Sequence, residues 1–397
     1  MKADTRFFTC LRHAHVYAPE DLGVVDLLLA GEKIACIGEN LETPAGLDCE
    51  EIDLQGALVM PGMIDGHVHI TGGGGEGGYH TRTPELMLSQ ITMAGVTTVC
   101  GLLGTDGTTR SVINLLAKAR ALETEGITSY IYTGAYELPT PTLTGSVRRD
   151  IVVIDKVIGA GEIAMSDHRS GQPSYEEYRK LAAEARVGGM ISGKAGVINM
   201  HLGDGKRGIQ YLFDIAAEGE IPRSQFLPTH ANRNRPLFEQ CIKWGKDGGF
   251  LDITSGINPN DPGSEICVKP AEAVREALDA GVPLKNITMS SDGGGSMPVF
   301  DEEGNPVGVG VGDEKTMLTE LRDMIVEENI LREKAIAIVT LNVANALKLH
   351  DRKGRLAAGM DADLLVLHDD YTLCDVWARG RQMVQEGRPV VKGTFES

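Results

Sequence analysis

His67 and His69 stand two residues apart in the run Met60-Pro61-Gly62-Met63-Ile64-Asp65-Gly66-His67-Val68-His69. On an extended strand that spacing turns both imidazoles to one face, where they can grip a single cation. Neutral imidazole is a favoured ligand for zinc and similar metals. A bare H-x-H pair is more often two ordinary strand histidines, so the weight falls on residues further along the chain. His201, in Ile198-Asn199-Met200-His201-Leu202-Gly203-Asp204, and His230, in Leu227-Pro228-Thr229-His230-Ala231-Asn232, each close a candidate strand. Asp292, in Met289-Ser290-Ser291-Asp292-Gly293-Gly294, closes another. In isolation these would read as core histidines and a turn or helix-cap aspartate. Gathered at one place, they can bind metal and exchange a proton with water, which is the equipment of hydrolysis.

Something must bring them together. Between residues 61 and 352 short apolar runs alternate with longer amphipathic stretches, the pattern of repeated βα units. Eight strands are predicted: Met63–His69, Thr97–Leu103, Thr128–Tyr136, Glu162–Asp167, Val197–Leu202, Phe226–His230, Phe250–Thr254 and Ile287–Asp292. Helical segments such as Thr109–Thr124 and Ser174–Val187 lie between them. Eight such units predict an α/β fold of the TIM-type (β/α)8 barrel class, whose reactive face is the C-terminal end of the strands. The residues named above fall at those ends. Residues 1–60 and 353–397 instead read as short β segments separated by Pro, Gly and acidic turns. They are expected to form one small β-sandwich domain, with residues 61–352 as the barrel.

Composition narrows the partners. A chain of 397 residues with 42% hydrophobic residues can bury a large core. A formal net charge of −18 lacks the positive field that nucleic acid or an anionic membrane surface requires, so the expected ligand is a small molecule. Seven cysteines without a C-x-x-C pair read as reduced thiols. No stretch reaches the roughly eighteen apolar residues of a membrane span, and no signal-like segment opens the chain, so a cytoplasmic location is expected.

The order of these motifs resembles the amidohydrolase superfamily, and the resemblance extends over nearly the whole chain. Within it the sequence is most similar to the bacterial isoaspartyl dipeptidases. The similarity rests on Thr71-Gly72-Gly73-Gly74-Gly75-Glu76-Gly77, Thr133-Gly134-Ala135-Tyr136, Ser166-Asp167-His168-Arg169-Ser170, Thr229-His230-Ala231-Asn232-Arg233-Asn234 and Ser290-Ser291-Asp292-Gly293. The resemblance implies two divalent ions, expected to be zinc, held by His67, His69, Glu162, His201, His230 and Asp292. It also implies a homo-oligomer, commonly an octamer.

One position departs from the family pattern. Where its members usually carry a carboxylated lysine as the bridging ligand, this chain has Glu162. The charge is kept, but a carboxylated lysine is longer by about three bonds. A glutamate can bridge two ions only if the strand or the metals shift, and the alternative is a single tightly bound metal. The resemblance further assigns Glu76 to a substrate's α-ammonium, Arg169 to the α-carboxylate of an isoaspartyl residue, and Arg233 with Ser296 to the C-terminal carboxylate. By the same resemblance Gly74 and Thr105 are further substrate contacts, and Tyr136 steadies the oxyanion. Two arginine forks suit a dipeptide joined through its side-chain carboxyl, which has two free carboxylates. The implied reaction is attack by a metal-bridging hydroxide on the isopeptide carbonyl, with Asp292 as general base and then acid. Two other readings stay open: a cyclic-amide hydrolase of the hydantoinase, dihydropyrimidinase or dihydroorotase kind, and an inactive scaffold subunit on the same fold.

Overall fold

The computed structural model describes residues 7–43, 45–260, 266–301 and 306–396. The outermost expected domain ends, 1–6 and 397, lie outside the described residues. Five strands open the chain: β1 (Phe8–Tyr17), β2 (Asp21–Ala30), β3 (Lys33–Gly38), β4 (Cys49–Asp53) and β5 (Leu58–Pro61). Eight short strands come after them: β6 (Met63–Val68), β7 (Val96–Gly101), β8 (Thr128–Thr133), β9 (Val157–Met165), β10 (Val197–Leu202), β11 (Phe226–Thr229), β12 (Leu251–Thr254) and β13 (Ile287–Ser290). A hairpin of β14 (Ser296–Phe300) and β15 (Pro306–Val311) comes next, and β16 (Leu364–Leu367), β17 (Leu373–Ala378), β18 (Arg381–Gln385) and β19 (Arg388–Pro389) close the chain.

Both chain ends enter one nine-stranded sheet. Its order is β19-β18-β17-β16-β5-β1-β2-β3, with β4 also beside β1. The seam is the antiparallel pairing of β5 with β16, Met60 opposite Leu365 and Val59 opposite Val366. Alternation along these strands sends Leu11, Leu27, Leu29, Val59, Leu364, Val366 and Trp377 into one apolar cluster. The residues that alternate with them on β5 and β16, Leu58, Met60, Leu365 and Leu367, are buried as well and join the large core cluster on the opposite face.

Strands β6 to β11 form a parallel sheet in strict chain order. Almost every residue in it is buried, the condition of a parallel sheet covered on both faces. β12 and β13 pair in parallel with each other. Ala231 N–H donates to Asp252 O at the β11–β12 side, and His69 N–H donates to Gly293 O where β6 meets the end of β13. The crossovers are helical. Residues Val112–Glu125, Val147–Val153, Tyr175–Ser192 and Arg235–Lys246 each start behind a Ser or Asn whose side chain accepts the N–H three residues on, satisfying an otherwise orphaned donor. In Tyr175–Ser192 the buried residues include Tyr178, Leu181, Ala182 and Ala185, the stripe that lays a helix on a sheet.

Two elements differ from expectation. β9 starts at Val157 rather than Glu162, because Gly159 and Gly161 break the apolar pattern. They do so for a reason: a Cβ on Gly159 would collide with Val197 O, and one on Gly161 would lie 2.8 Å from Asn199 Cβ. Glycine lets β9 lie against β10 at this register. The β14–β15 hairpin has no counterpart among the expected elements, and it carries Ser296 toward the strand ends.

Candidate metal centre and substrate wall

The reactive residues collect where the parallel strands end. His67 lies in β6 and His69 one residue beyond it, Glu162 lies inside β9, and His201 is the fifth residue of β10. His230 and Asp292 come just after β11 and β13 with φ of 59° and 58°. Non-glycine residues pay for that left-handed backbone, and such strain persists mainly where a site requires it. Asp292 is also walled in by glycines. A Cβ on Gly295 would lie 2.7 Å from Asp292 Oδ1, and one on Gly312 would collide with Asp292 O.

Glu162, with 1% of its surface exposed, is the hub. Its Oε1 lies 2.6 Å from His201 Nδ1, 3.2 Å from His230 Nε2 and 3.6 Å from His67 Nε2. Its Oε2 lies 3.8 Å from His69 Nε2. Asp292 Oδ1 closes the other side, 3.1 Å from His69 Nε2 and 3.3 Å from His67 Nε2. Burial works against charge on both carboxyls. It is overcome by His67 and His201 at Glu162 and by His67 and His69 at Asp292, so both stay well below the usual carboxylate range. Burial pulls His67 down, but Glu162 and Asp292 prevail and raise it to about 9. At His230 burial wins and the imidazole falls to about 3. Burial, reinforced by Glu162, lifts the Tyr136 phenol well above its ordinary value, so the hydroxyl keeps its proton, 2.8 Å from His201 Nδ1.

Neighbouring strands fix which imidazole nitrogen faces the hub. His67 Nδ1–H donates to Asn199 Oδ1 at 3.1 Å, and His230 Nδ1 pairs with Thr254 Oγ1 at 2.8 Å. His201 Nε2 pairs with Asp167 Oδ2 at 2.9 Å. In each ring the other nitrogen is left toward Glu162, the arrangement that orients metal-ligating histidines. Sequence reasoning missed Asn199, Thr254 and the Asp167 side chain. Asn199 was within reach, since it lies two residues before His201 on the same strand face.

The donor set fits divalent cations. His67 Nε2, Glu162 Oε2 and Asp292 Oδ1 are buried with no hydrogen-bond partner among the described residues, a costly state that a bound cation would relieve. Among the described residues, ligand atoms cluster within 4.8 Å as His67, Glu162 and His230, and as His67, His69 and Asp292. Imidazole with carboxylate is the ligand chemistry of zinc and related ions. His201 meets the hub through Nδ1 but falls outside both groups.

A polar wall stands beside this cluster. Glu76 Oε1 accepts from Thr105 Oγ1 at 3.0 Å and from the Arg169 guanidinium at 3.3 Å, while Ser296 Oγ lies 3.5 Å from Glu76 Oε2. Arg169 also lies over the Tyr136 ring, 5.6 Å from its centre. Gly74, with φ of 70°, lies where a Cβ would be 3.3 Å from Ser296 Cβ and 2.5 Å from Thr81 O. Arg110, another residue that sequence reasoning passed over, donates from its guanidinium to the carbonyls of Thr71, Gly73 and Thr83 and so holds the glycine-rich loop. Arg233 stands apart from the Glu76 group. Among the described residues its nearest ionic partner is Asp204 at 4.0 Å, and its buried Nε has no partner there.

Histidines and carboxylates at the ends of buried parallel strands, beside a sheet built from both chain ends, define a metal-type hydrolase class. The chain matches the amidohydrolase family over residues 255–391 and again over residues 50–113. It is 45% identical to the β-aspartyl dipeptidase of Fervidobacterium islandicum AW-1, solved in complex with β-Asp-Leu dipeptide, over 98% of this chain and 99% of that one, with a TM-score of 0.88. This chain therefore belongs to the amidohydrolase superfamily, in its isoaspartyl dipeptidase branch. The dihydropyrimidinase of Brevibacillus agri NCHU1002, 17% identical over 97% of this chain and 96% of that one with a TM-score of 0.69, shares the fold. A dihydroorotase of Listeria innocua is 28% identical over 51% of this chain, a match spanning 47% of that protein's length. An imidazolonepropionase of Ruegeria sp. is 26% identical over 91% of this chain and 92% of that protein. Among the described residues no helix is long and apolar enough to cross a membrane.

Proposed function

We propose that the chain hydrolyses the isopeptide bond of β-aspartyl dipeptides with two divalent cations, zinc by preference. The observation that carries this reading is the polar wall: a carboxylate, Glu76, and a guanidinium, Arg169, stand together within reach of the metal-type cluster. An α-ammonium and α-carboxylate on one carbon need that pair of opposite charges, and a cyclic amide offers no free ammonium. The dipeptide bound in the Fervidobacterium enzyme supports the same substrate class.

In this reading His67, His69, Glu162, His201, His230 and Asp292 would hold the ions, with Glu162, whose two oxygens face different histidines, as the shared anionic ligand. Divalent cations there supply Lewis acidity that polarises the scissile carbonyl and brings the pKa of water toward neutrality. Asp292, ionised and facing the cluster, takes the proton of the attacking water and returns it to the leaving amine. Tyr136, held in its protonated form, donates to the oxygen on which negative charge develops. Glu76, Thr105, Gly74 and Arg169 orient the isoaspartyl head, and Arg233 with Ser296 takes the far carboxylate. The same reading closes β6–β13 into one eight-stranded barrel over residues 61–352, with 1–60 and 353–397 as the second domain, and makes the working protein a cytoplasmic homo-oligomer.

Zinc-loaded protein offered β-Asp-Leu, α-Asp-Leu, hydantoin and dihydroorotate tests this directly. Release of leucine from β-Asp-Leu alone is the expected result. Glu76→Gln should then raise KM for β-Asp-Leu by at least about tenfold, the weight of one charge-assisted contact, and leave succinyl-leucine, which lacks the ammonium, unaffected. Turnover of a cyclic amide with β-Asp-Leu intact would replace the dipeptidase reading.

A further inference from the structure

Asp167 stands between two groups with different tasks and touches both. Its Oδ1 accepts from Arg169 Nε at 3.0 Å and its Oδ2 from an Arg169 terminal nitrogen at 2.8 Å, a two-pronged carboxylate–guanidinium pair. The same Oδ2 accepts from His201 Nε2 at 2.9 Å. A turn in which Arg169 N–H donates to Asp167 Oδ1 at 2.7 Å fixes the carboxylate, and only 5% of the residue is exposed. Two-pronged pairing sets the plane of both partners, and an Arg169 terminal nitrogen also lies 3.2 Å from His201 Nε2 itself, so neither Arg169 nor His201 can turn without disturbing the other, and the shared carboxylate fixes both.

We propose that Asp167 is a positioning residue that couples the carboxylate-reading guanidinium of Arg169 to the metal-facing nitrogen of His201. By accepting the Nε2 proton it leaves the Nδ1 lone pair free for a cation held beside Glu162. By holding the Arg169 fork it keeps that charge on the substrate wall. A carboxylate substrate drawing on Arg169 thus alters how firmly Asp167 holds His201, and metal held through His201 alters the fork in return, since linkage between two sites is reciprocal. The inference rests on the metal-site reading but not on the identity of the substrate.

Zinc affinity of the metal-free protein, measured by competition with a chromogenic chelator and with no substrate present, tests it. Asp167→Asn keeps the shape but can turn an N–H toward Nε2 and favour the wrong imidazole tautomer, and we expect zinc to bind about 10- to 100-fold more weakly. Arg169→Gln should weaken zinc by a smaller factor although it is no ligand. The double variant should bind like Asp167→Asn alone. Single-variant factors that simply multiply in the double variant, or unchanged zinc affinity in Asp167→Asn, would overturn the coupling. If Asp167→Asn does not fold, Asp167→Glu serves in its place: the carboxylate is retained but displaced, so zinc affinity should fall between those of the parent protein and Arg169→Gln or lower, and an unaltered value would again overturn the proposal. Loss of dipeptide hydrolysis in the unmodified protein would sink the proposed substrate without touching this measurement.

Discussion

Glu162 decides the character of the site because it is the negative charge shared among the histidines. His201, His230 and His67 all approach its Oε1, so a neutral amide there leaves their buried nitrogens with no anion and too little charge to hold two cations. Glu162→Gln should lower bound zinc from about two to one or fewer ions per subunit and cut turnover by at least about 100-fold, checked by elemental analysis and steady-state rates on the same sample. That His67, His69, His201, His230 and Asp292 come together was legible, because each closes or nearly closes a strand that the sequence already marks. Asn199, Thr254 and Asp167 were not, since amide, hydroxyl and carboxylate side chains serve countless local hydrogen bonds. Their task becomes visible only when a second strand places a ring nitrogen about 3 Å away.

The strand β9 shows what an element must give up to place one residue. Gly159 is buried against Val197 O, and a backbone carbonyl in a sheet has nowhere to retreat. Gly159→Ala should therefore destabilise the fold by about 3 kcal/mol, near the upper end of overpacking costs, read as a lowered denaturant midpoint with an unchanged slope. It should also disturb metal loading, because the register of β9 on β10 sets Glu162 against His201. The other strands of the parallel sheet match their predicted spans closely, as they are unbroken apolar runs flanked by turn residues. The predicted span of β9 is too short because the glycines that let it pack also erase its strand signature. The β14–β15 hairpin escaped prediction because its prolines and glycines read as loop.

The molecule as a whole is tied together by a buried ionic knot between its two largest sheets. Lys353, 2% exposed, reaches Asp361 at 2.8 Å and also Asp363 beside β16, and it donates to Thr128 Oγ1 in β8. Asp361 pairs as well with Lys33 and Arg352, each at 2.7 Å. Burial pushes the Asp361 carboxyl up, but Lys353, Lys33 and Arg352 outweigh it and bring it down to about 2, below the ordinary aspartate range. A carboxyl depressed in the folded state stabilises fully above its unfolded value and loses that contribution as pH falls toward the folded one. The deficit of Asp361→Asn relative to the parent protein, on the order of 2 kcal/mol by that linkage, should be complete at about pH 6 and shrink between about pH 4 and 2. Urea melts across that range measure it, and a deficit independent of pH would show that shape rather than charge matters there. That both chain ends build one sheet was legible from their shared β texture. The partner strands were not, because alternation gives each strand a face without naming its neighbour.

The glycine enclosure of Asp292 has a consequence for how such a protein can diversify. Any side chain at 295 or 312 would collide with Asp292 itself, and one at 293 would meet the Glu314 carboxyl. The positions nearest Asp292 are therefore closed to variation, while Glu76, Arg169, Arg233 and Ser296 are side chains that can be exchanged. Under the proposed function, new substrates are open to descendants of this chain through the wall, one residue at a time. New chemistry at Asp292 would require rebuilding the loop around it in a single leap.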